Sequence, residues 1–554
     1  MLTARARQPG FGRRMARLAA ALLPVLGTAL LLWPGLASAA TITVNTAADS
    51  PGTQCTLRDA IKAANTDLTS NGCTTPGSGT DTIQFQLPDP STITLGSALD
   101  QISGDLNIQG PGAPQLTVSG NSLYRIFNIS SAPTVSISGL TVTGGSVVAT
   151  GCTGSNPAAA LGAGILNEGT LSLDRVVVSG NHATASDSGS FNLGCAEGAG
   201  IYNLGTLTLN QSTVSGNQAS ATATGPGDGA IADGAGIDNA GTLAINQSTV
   251  SENTALAHIT AGADAFALGA GIRNYGSATL TNSTVTNNGE ITPGGRGGGI
   301  YSQNASLVLR NDTISQNVAS AQIGDGGNLY NDPGFPAEVT AKNAIVAEAL
   351  TSGNCGGPLP TSLGNNLSFE STGDTYPCFT PGNGNVFDDP MLGSPQDNGG
   401  PTQTEAIGPG SAALDAGSGC EATDQRGLFR GGTAGPCDIG AFELGATASP
   451  PAPPSPSPPA PSPPASPAVT TPPNTTITKA KINQARHRAT FRFSSSEPGS
   501  TFLCKLDKKA FAPCRSPKTY KHLKRGKHKF EVKARDAAGN LDALPAIKKF
   551  KLKP

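Results

Sequence analysis

The chain has little charge, few aromatic rings and, after its first forty residues, no long apolar run. Only 13% of its 554 residues are charged and 5% are aromatic, a supply of bulky side chains that suits thin, stacked coils better than a thick globular core. No apolar segment after the first approaches 18 residues, so none there has the length of a membrane-spanning helix. There is no close CxxC pair and no histidine at ligand spacing, which argues against zinc. What the chain has in quantity is glycine, 71 residues.

Much of that glycine belongs to a repeat. GAGIYNLGTLTLNQSTVSGNQA, from Gly198, returns from Gly234 as GAGIDNAGTLAINQSTVSENTA, and related copies start at Gly162, Gly269, Gly297 and Gly326. The starts lie 36, 36, 35, 28 and 29 residues apart. A unit of about 22 residues is therefore fixed, and a segment of variable length, read as a loop, follows it. Within the unit, Leu207 and Leu209, or Leu243 and Ile245, alternate with polar residues, and Val214 or Val250 follows after a break. Period two means strand, and Gly or Asn closes each run before a helix could form.

Three short strands per turn predict a right-handed parallel β-helix. One coil cannot bury its apolar side alone, so its neighbours must. Ile165, Ile201, Ile237, Ile272 and Ile300 would form an interior column, each gaining roughly 1.5–3 kcal/mol if fully buried. Asn167, Asn203, Asn239 and Asn274 would form an asparagine ladder with a structural role, placed at a turn where Asn tolerates left-handed backbone.

The first forty residues carry Arg5, Arg7, Arg13, Arg14 and Arg17, then AAALLPVLGTALLLW, then ASAA. This reads as a secretory signal over 1–39. Export makes the ten cysteines readable as neighbouring disulfide pairs: Cys55 with Cys73, Cys152 with Cys195, Cys355 with Cys378, Cys420 with Cys437, and Cys504 with Cys514. Each bridge would contribute about 2–4 kcal/mol.

Three modules flank the ladder. In TITVNTAADSPGTQCTLRDAIKAANTD, Leu57, Ala60, Ile61 and Ala64 fall on one helical face, so a short helix is expected to cover the first coil, whose open edge otherwise invites other strands. CTLRDA at Cys55 to Ala60 resembles the CSLREA-type segment of exported bacterial β-helix proteins. After the coils, DNGGPT at Asp397 to Thr402, DQRG at Asp424 to Gly427 and DIGAFE at Asp438 to Glu443 resemble the choice-of-anchor Q type of domain. That resemblance implies display on, or release from, the cell surface, although no LPxTG-like motif or terminal apolar tail follows. Next comes a Pro, Ser and Ala stretch that is read as a spacer; in polyproline II form, at ~3.1 Å per residue, it spans roughly 70–80 Å. Phe502 through Asn540 carries a pattern that resembles a bacterial Ig-like or fibronectin-like module, which implies a small β-sandwich stapled by Cys504 and Cys514.

The expected fold is thus all-β: a pectin-lyase-like solenoid with a short N-terminal capping helix, then a Pro-rich linker and a small Ig-like sandwich. The boundaries are signal 1–39, N-terminal cap and first coils 40–110, repeats 111–350, C-terminal cap 351–446, linker 447–473 and basic module 474–554. The net charge of −2 hides a split between these parts. From Asn474 onward there are 21 Lys and Arg against 5 Asp and Glu, whereas residues 41–473 hold 10 against 33. Lys521, Lys524, Arg525, Lys527, Lys529, Lys533 and Arg535 are candidates for contact with a polyanion such as a cell-wall polymer, an acidic glycan or extracellular DNA. No motif for specific nucleic-acid recognition is present. The same charge also serves simple solubility, or attraction to the acidic solenoid.

The β-helix fold hosts pectate lyases and polygalacturonases, but fold does not fix function. The ladder contains only His182 and His258, both in the variable segments, and lacks GHG and RIK. Asp388 and Asp389 are adjacent and in a strand would point apart. Arg175, Arg273, Arg296 and Arg310 share no column and are expected to be solvated. No catalytic residue and no cofactor is assigned; Asp228, Asp233 and Asp325, in Gly-rich segments, are the candidates for a loose calcium site. The reading is a monomeric secreted or surface protein for binding, adhesion or scaffolding toward glycan or envelope polymers. Its alternative is a polysaccharide lyase or glycoside hydrolase with an unusual site on the solenoid loops.

Overall fold

Alternating apolar residues on short strands have to be covered by the next coil, and in the computed structural model they are. The described residues are 39–448 and 472–553, apart from 51, 75, 151–158, 188–192, 226–228, 261–263, 291, 293, 320–323, 371–376, 431–435, 498 and 537–539. The secretory segment, Cys152, Asp228 and nearly all of the Pro-rich spacer lie outside them. The chain divides into two units, 1–451 and 452–554.

The first unit is a right-handed parallel β-helix built on three long sheets. Sheet A has eleven strands, running from Thr41–Val44 to Thr361–Ser362; sheet B has ten, from Ser91–Thr94 to Leu367–Phe369; sheet C has eight, from Phe127–Ile129 to Cys355–Gly356. Register is exact from coil to coil: Ile165 pairs with Ile201, Ile201 with Ile237, Ile237 with Ile272, and Ile272 with Ile300. All five are fully buried in one core that also takes Leu207, Leu209, Val214 and their counterparts.

The amino-terminal end is closed by helix α1, Leu57–Thr66. Thr56 caps it, its hydroxyl oxygen accepting the Asp59 N–H at 3.1 Å, and Asp67 ends it in the left-handed region. Leu57, Ala60, Ile61 and Ala63 are buried in the same core as Ile42 and Val44 of the first strand. The covering helix is therefore packed as part of the solenoid.

The variable segment is not a loop. Between the B and C strands of the longer coils, the chain forms two further parallel sheets. Sheet D runs from Ser146–Thr150 through His182–Asp187, Gln218–Ala223 and Thr254–Ile259 to Gly289–Glu290, and sheet E from Ala160–Leu161 through Leu193–Glu197 and Gly229–Asp233 to Ala265–Leu268. They pack face to face as a fin whose buried apolar cluster is made of alanine, among them Ala183, Ala185, Ala196, Ala219, Ala221, Ala232, Ala255 and Ala267. Alanine alternates with Ser and Thr here, a weak period-two signal next to the Leu and Ile of the body. The fin explains the spacing: coils of 35–36 residues carry it, and repeats of 28–29 follow where its strands run out.

The second unit consists of two antiparallel sheets. Thr475–Asn483, Arg488–Ser495 and Lys518–Tyr520 form one; Ala512–Cys514, Thr501–Leu506, Gly526–Arg535 and Ala546–Leu552 form the other. They share a core in which the Phe491 and Phe530 rings stack at 4.1 Å.

Candidate functional site

The ladder asparagines stand at the ends of their sheet C strands. Asn167 Nδ2 donates to Asn203 Oδ1 at 2.7 Å, Asn203 to Asn239 at 2.7 Å, and Asn239 to Asn274 at 2.8 Å. All four are fully buried. The left-handed backbone belongs to other positions, including Gln211, Gln247 and Asn282. The ladder Asn keeps extended backbone and closes the turn with its side chain, as Asn167 Oδ1 accepts the Gly169 N–H at 3.2 Å.

A longer ladder occupies the corner after sheet B. Asn181, Asn217, Asn253, Asn288, Asn317, Asn328 and Asn354 are joined by amide contacts of 2.8–2.9 Å. Against it lies the glycine column: a Cβ on Gly200 would come within 2.5 Å of the Gly236 carbonyl and 2.9 Å of Asn217 Nδ2. The second Gly of the GAGI motif leaves room for this ladder, a signal present in the sequence as the Asn two residues after each sheet B strand at Asn181, Asn217, Asn253, Asn288 and Asn317, whereas Asn328 and Asn354 lead into sheet C strands.

Disulfides join Cys55 to Cys73, Cys355 to Cys378, Cys420 to Cys437, and Cys504 to Cys514. The pairing of Cys195 with Cys152 falls on a residue outside the described set.

The three motifs between Asp397 and Glu443 interlock and hold their segment to the flank of sheet B. Gln425 Nε2 donates to Thr249 Oγ1 at 2.9 Å and to Thr402 Oγ1 at 3.0 Å, while the Thr284 hydroxyl donates to Gln425 Oε1 at 2.6 Å. Arg426 reaches Asp424 Oδ2 at 2.6 Å and lies 3.7 Å above the Phe442 ring. Buried Arg430 donates to Glu443 Oε2 at 2.9 Å and to Asn282 Oδ1 at 3.3 Å. Glu405 is buried between the hydroxyls of Ser315 and Thr286. Burial pushes its carboxyl up to about 7, against the downward pull of those two contacts. These residues are a structural latch along the side of the solenoid. Asp388 and Asp389 are exposed beside it.

Charge gathers in the corner between fin sheet E and body sheet C, whose outer faces look at each other. Arg273, expected from sequence to be solvated, is instead largely buried and sits among three carboxylates from neighbouring coils. Its guanidinium contacts Asp233, with Asp238 Oδ2 at 3.3 Å and Glu197 Oε2 at 3.8 Å. Burial pushes Asp233 up to about 7 and Asp238 well above the usual carboxylate range; Arg273 pulls both down, and the neighbouring Glu197 adds to the rise. Farther along the corner, Arg296 faces Asp325 at 3.5 Å. Asp233 and Asp325 thus each face an arginine. Among the described residues no group of three His, Cys, Asp or Glu side chains is placed to hold a metal ion. His182 and His258 lie exposed on fin strands. Arg175 and Arg310 are exposed.

In the second unit, Lys527, Lys529, Lys533 and Arg535 alternate with buried Phe530, Val532 and Ala534 along one strand and so share its outer face. Lys521, Lys524 and Arg525 are exposed in the turn before it. The neighbouring strand adds two lysines not singled out from sequence, since Lys551 pairs with Lys527 and Lys549 with Lys529. Like charges directly opposite destabilise a sheet. One acid, Glu531, lies among them, bridged to Lys505 at 3.1 Å and Lys529 at 3.0 Å. His528 stands beneath, its Nδ1 2.8 Å from Asp507 Oδ2 and its Nε2 2.7 Å from the Lys524 carbonyl. Burial lowers the imidazole, but these two acceptors outweigh it and raise its pKa overall.

Comparison with protein families, with curated proteins and with solved structures finds no match.

Proposed function

We propose that the chain is an exported or surface-associated scaffold that binds envelope polymers, and that its basic second unit attaches it to an anionic one. The observation that carries this is the lysine face, where Lys527 opposes Lys551 and Lys529 opposes Lys549. A sheet that only needed solubility has no reason to set like charges in register, and an anionic chain laid across the strands relieves the repulsion.

The finer assignments belong to the same reading: a CSLREA-type segment at Cys55 to Ala60, a choice-of-anchor Q type segment around Asp397 to Glu443, and an Ig-like module from Asn474. The four disulfides seen among the described residues and the Arg-rich apolar start support secretion.

The test is retention of residues 40–554 on isolated bacterial envelopes. Binding at low salt that is lost near molar salt, and lost in the K527Q/K529Q/K549Q/K551Q variant, is expected. Equal retention of that variant overturns the lysine assignment. The enzymatic alternative is tested by following reducing ends and unsaturated products over a panel of polysaccharides.

A further inference from the structure

A sequence signal and a buried carboxyl meet at one backbone nitrogen. Ala37, Ser38 and Ala39 have the form that an export endopeptidase cuts, with small side chains one and three places before the bond. A cut there makes Ala40 the first residue. In the folded chain the Ala40 N–H donates to Asp81 Oδ1 at 3.0 Å.

Asp81 opens the second strand of sheet A, Asp81–Phe85, and is 1% exposed. Its Oδ1 also accepts the Gly77 N–H at 2.9 Å, whereas Oδ2 has no hydrogen-bond partner among the described residues. Nor does any basic side chain among them pair with it. The buried acids Asp233 and Glu443, by contrast, each face an arginine. A buried carboxyl with an empty oxygen and no cation is costly, and packing gives no reason for it. Ala40 is fixed beside it. The Thr82 N–H donates to the Ala40 carbonyl at 2.8 Å, Thr41 pairs with Thr82, and Ile42 and Val44 enter the core. Ala39, one residue before, is exposed.

We propose that the chain is cut between Ala39 and Ala40 and that the new α-ammonium group docks on Asp81 as its ion-pair partner. Hydrolysis adds one water: Ala39 leaves with a carboxylate, and Ala40 keeps an amine. A free α-amine, with an ordinary value of about 7.7–8.0, carries a proton at neutral pH. One amide N–H thereby becomes three ammonium donors, enough for both oxygens of Asp81, and a neutral contact becomes a charged one. A cut one residue later removes the donor. Processing thus fastens the first strand of the solenoid, and the cut chain is held more firmly there than its precursor. This rests on the export reading and owes nothing to the lysine face.

Two measurements test it. The full chain, secreted from a bacterial host and sequenced from its amino terminus, is expected to begin at Ala40. Amide exchange is then followed in residues 40–554, with Ala40 freed from a cleavable tag, and in the same chain extended by Ser38 and Ala39. Exchange across Thr41–Val44 is expected to be about tenfold slower with the free Ala40 amine, and equal in the two chains once both carry Asp81→Asn. A different first residue, equal exchange in the two parent chains, or a slowing that persists in Asp81→Asn overturns the proposal. An uncut chain retained in the cells overturns the export reading and the cut with it, whereas a correctly cut chain with equal exchange overturns the docking alone.

Discussion

Asn217 donates its side-chain amide to Asn253 Oδ1 at 2.9 Å, and its own Oδ1 accepts the amide of Asn181 at 2.8 Å. Each such residue is donor to one coil and acceptor from the other, so a single substitution breaks two contacts and strands a buried amide. Asn217→Ala is expected to destabilise the first unit by about 1–3 kcal/mol for the unsatisfied group. Denaturant unfolding checks this, and an unchanged midpoint would remove the ladder from the account of stability.

The fin makes a steric prediction. Ala221 is fully buried in the fin's alanine cluster, so Ala221→Leu must push sheets D and E apart, at about 1–3 kcal/mol for overpacking. Hydrogen exchange should speed in Gln218–Ala223 and Gly229–Asp233 while Ile201 and Ile237 stay protected. Uniform protection across the fin would mean that its sheets have room to spare.

Arg273 and Arg310 look alike in sequence and should behave differently. Arg273→Met leaves the buried Asp233 and Asp238 without their cation, an expected loss of about 3–5 kcal/mol. Exposed Arg310→Met should stay within about 0.5 kcal/mol of the parent. Paired urea titrations decide between them.

Glu405 makes the latch sensitive to pH. Its folded value, raised by burial to about 7, lies above the ordinary carboxylate value of about 4.3. Its contribution is therefore complete below the unfolded value and lost as pH rises through about 7. Thermal unfolding followed from pH 5 to 9 should show that loss in the parent chain and a flatter profile in Glu405→Gln. Parallel profiles would place the titration elsewhere.

Much of the body was legible in the sequence because Leu207, Leu209 and Ile245 obey period two with large side chains, and because each copy of the repeat ends on Gly or Asn. The fin was not, because Ala183, Ala185 and Ala221 carry the same alternation in residues whose small size makes them look like loop. The lysine face was half legible: the run from Lys521 to Arg535 is local, whereas Lys549 and Lys551 join it only through strand pairing. The latch motifs were visible as motifs, and their structural purpose was not.

By itself the sequence determined the coil: its period, its inward isoleucines, its asparagine rungs and the charge split between the two units. These follow from local spacing, since a repeat puts like residue on like residue wherever the coils stack. Tertiary structure alone decided what meets across coils and corners. Arg273 finds Asp233 forty residues upstream, and Ser315 finds Glu405 ninety residues downstream, contacts whose partners lie on different elements and whose strength comes from the burial that only the assembled solenoid supplies.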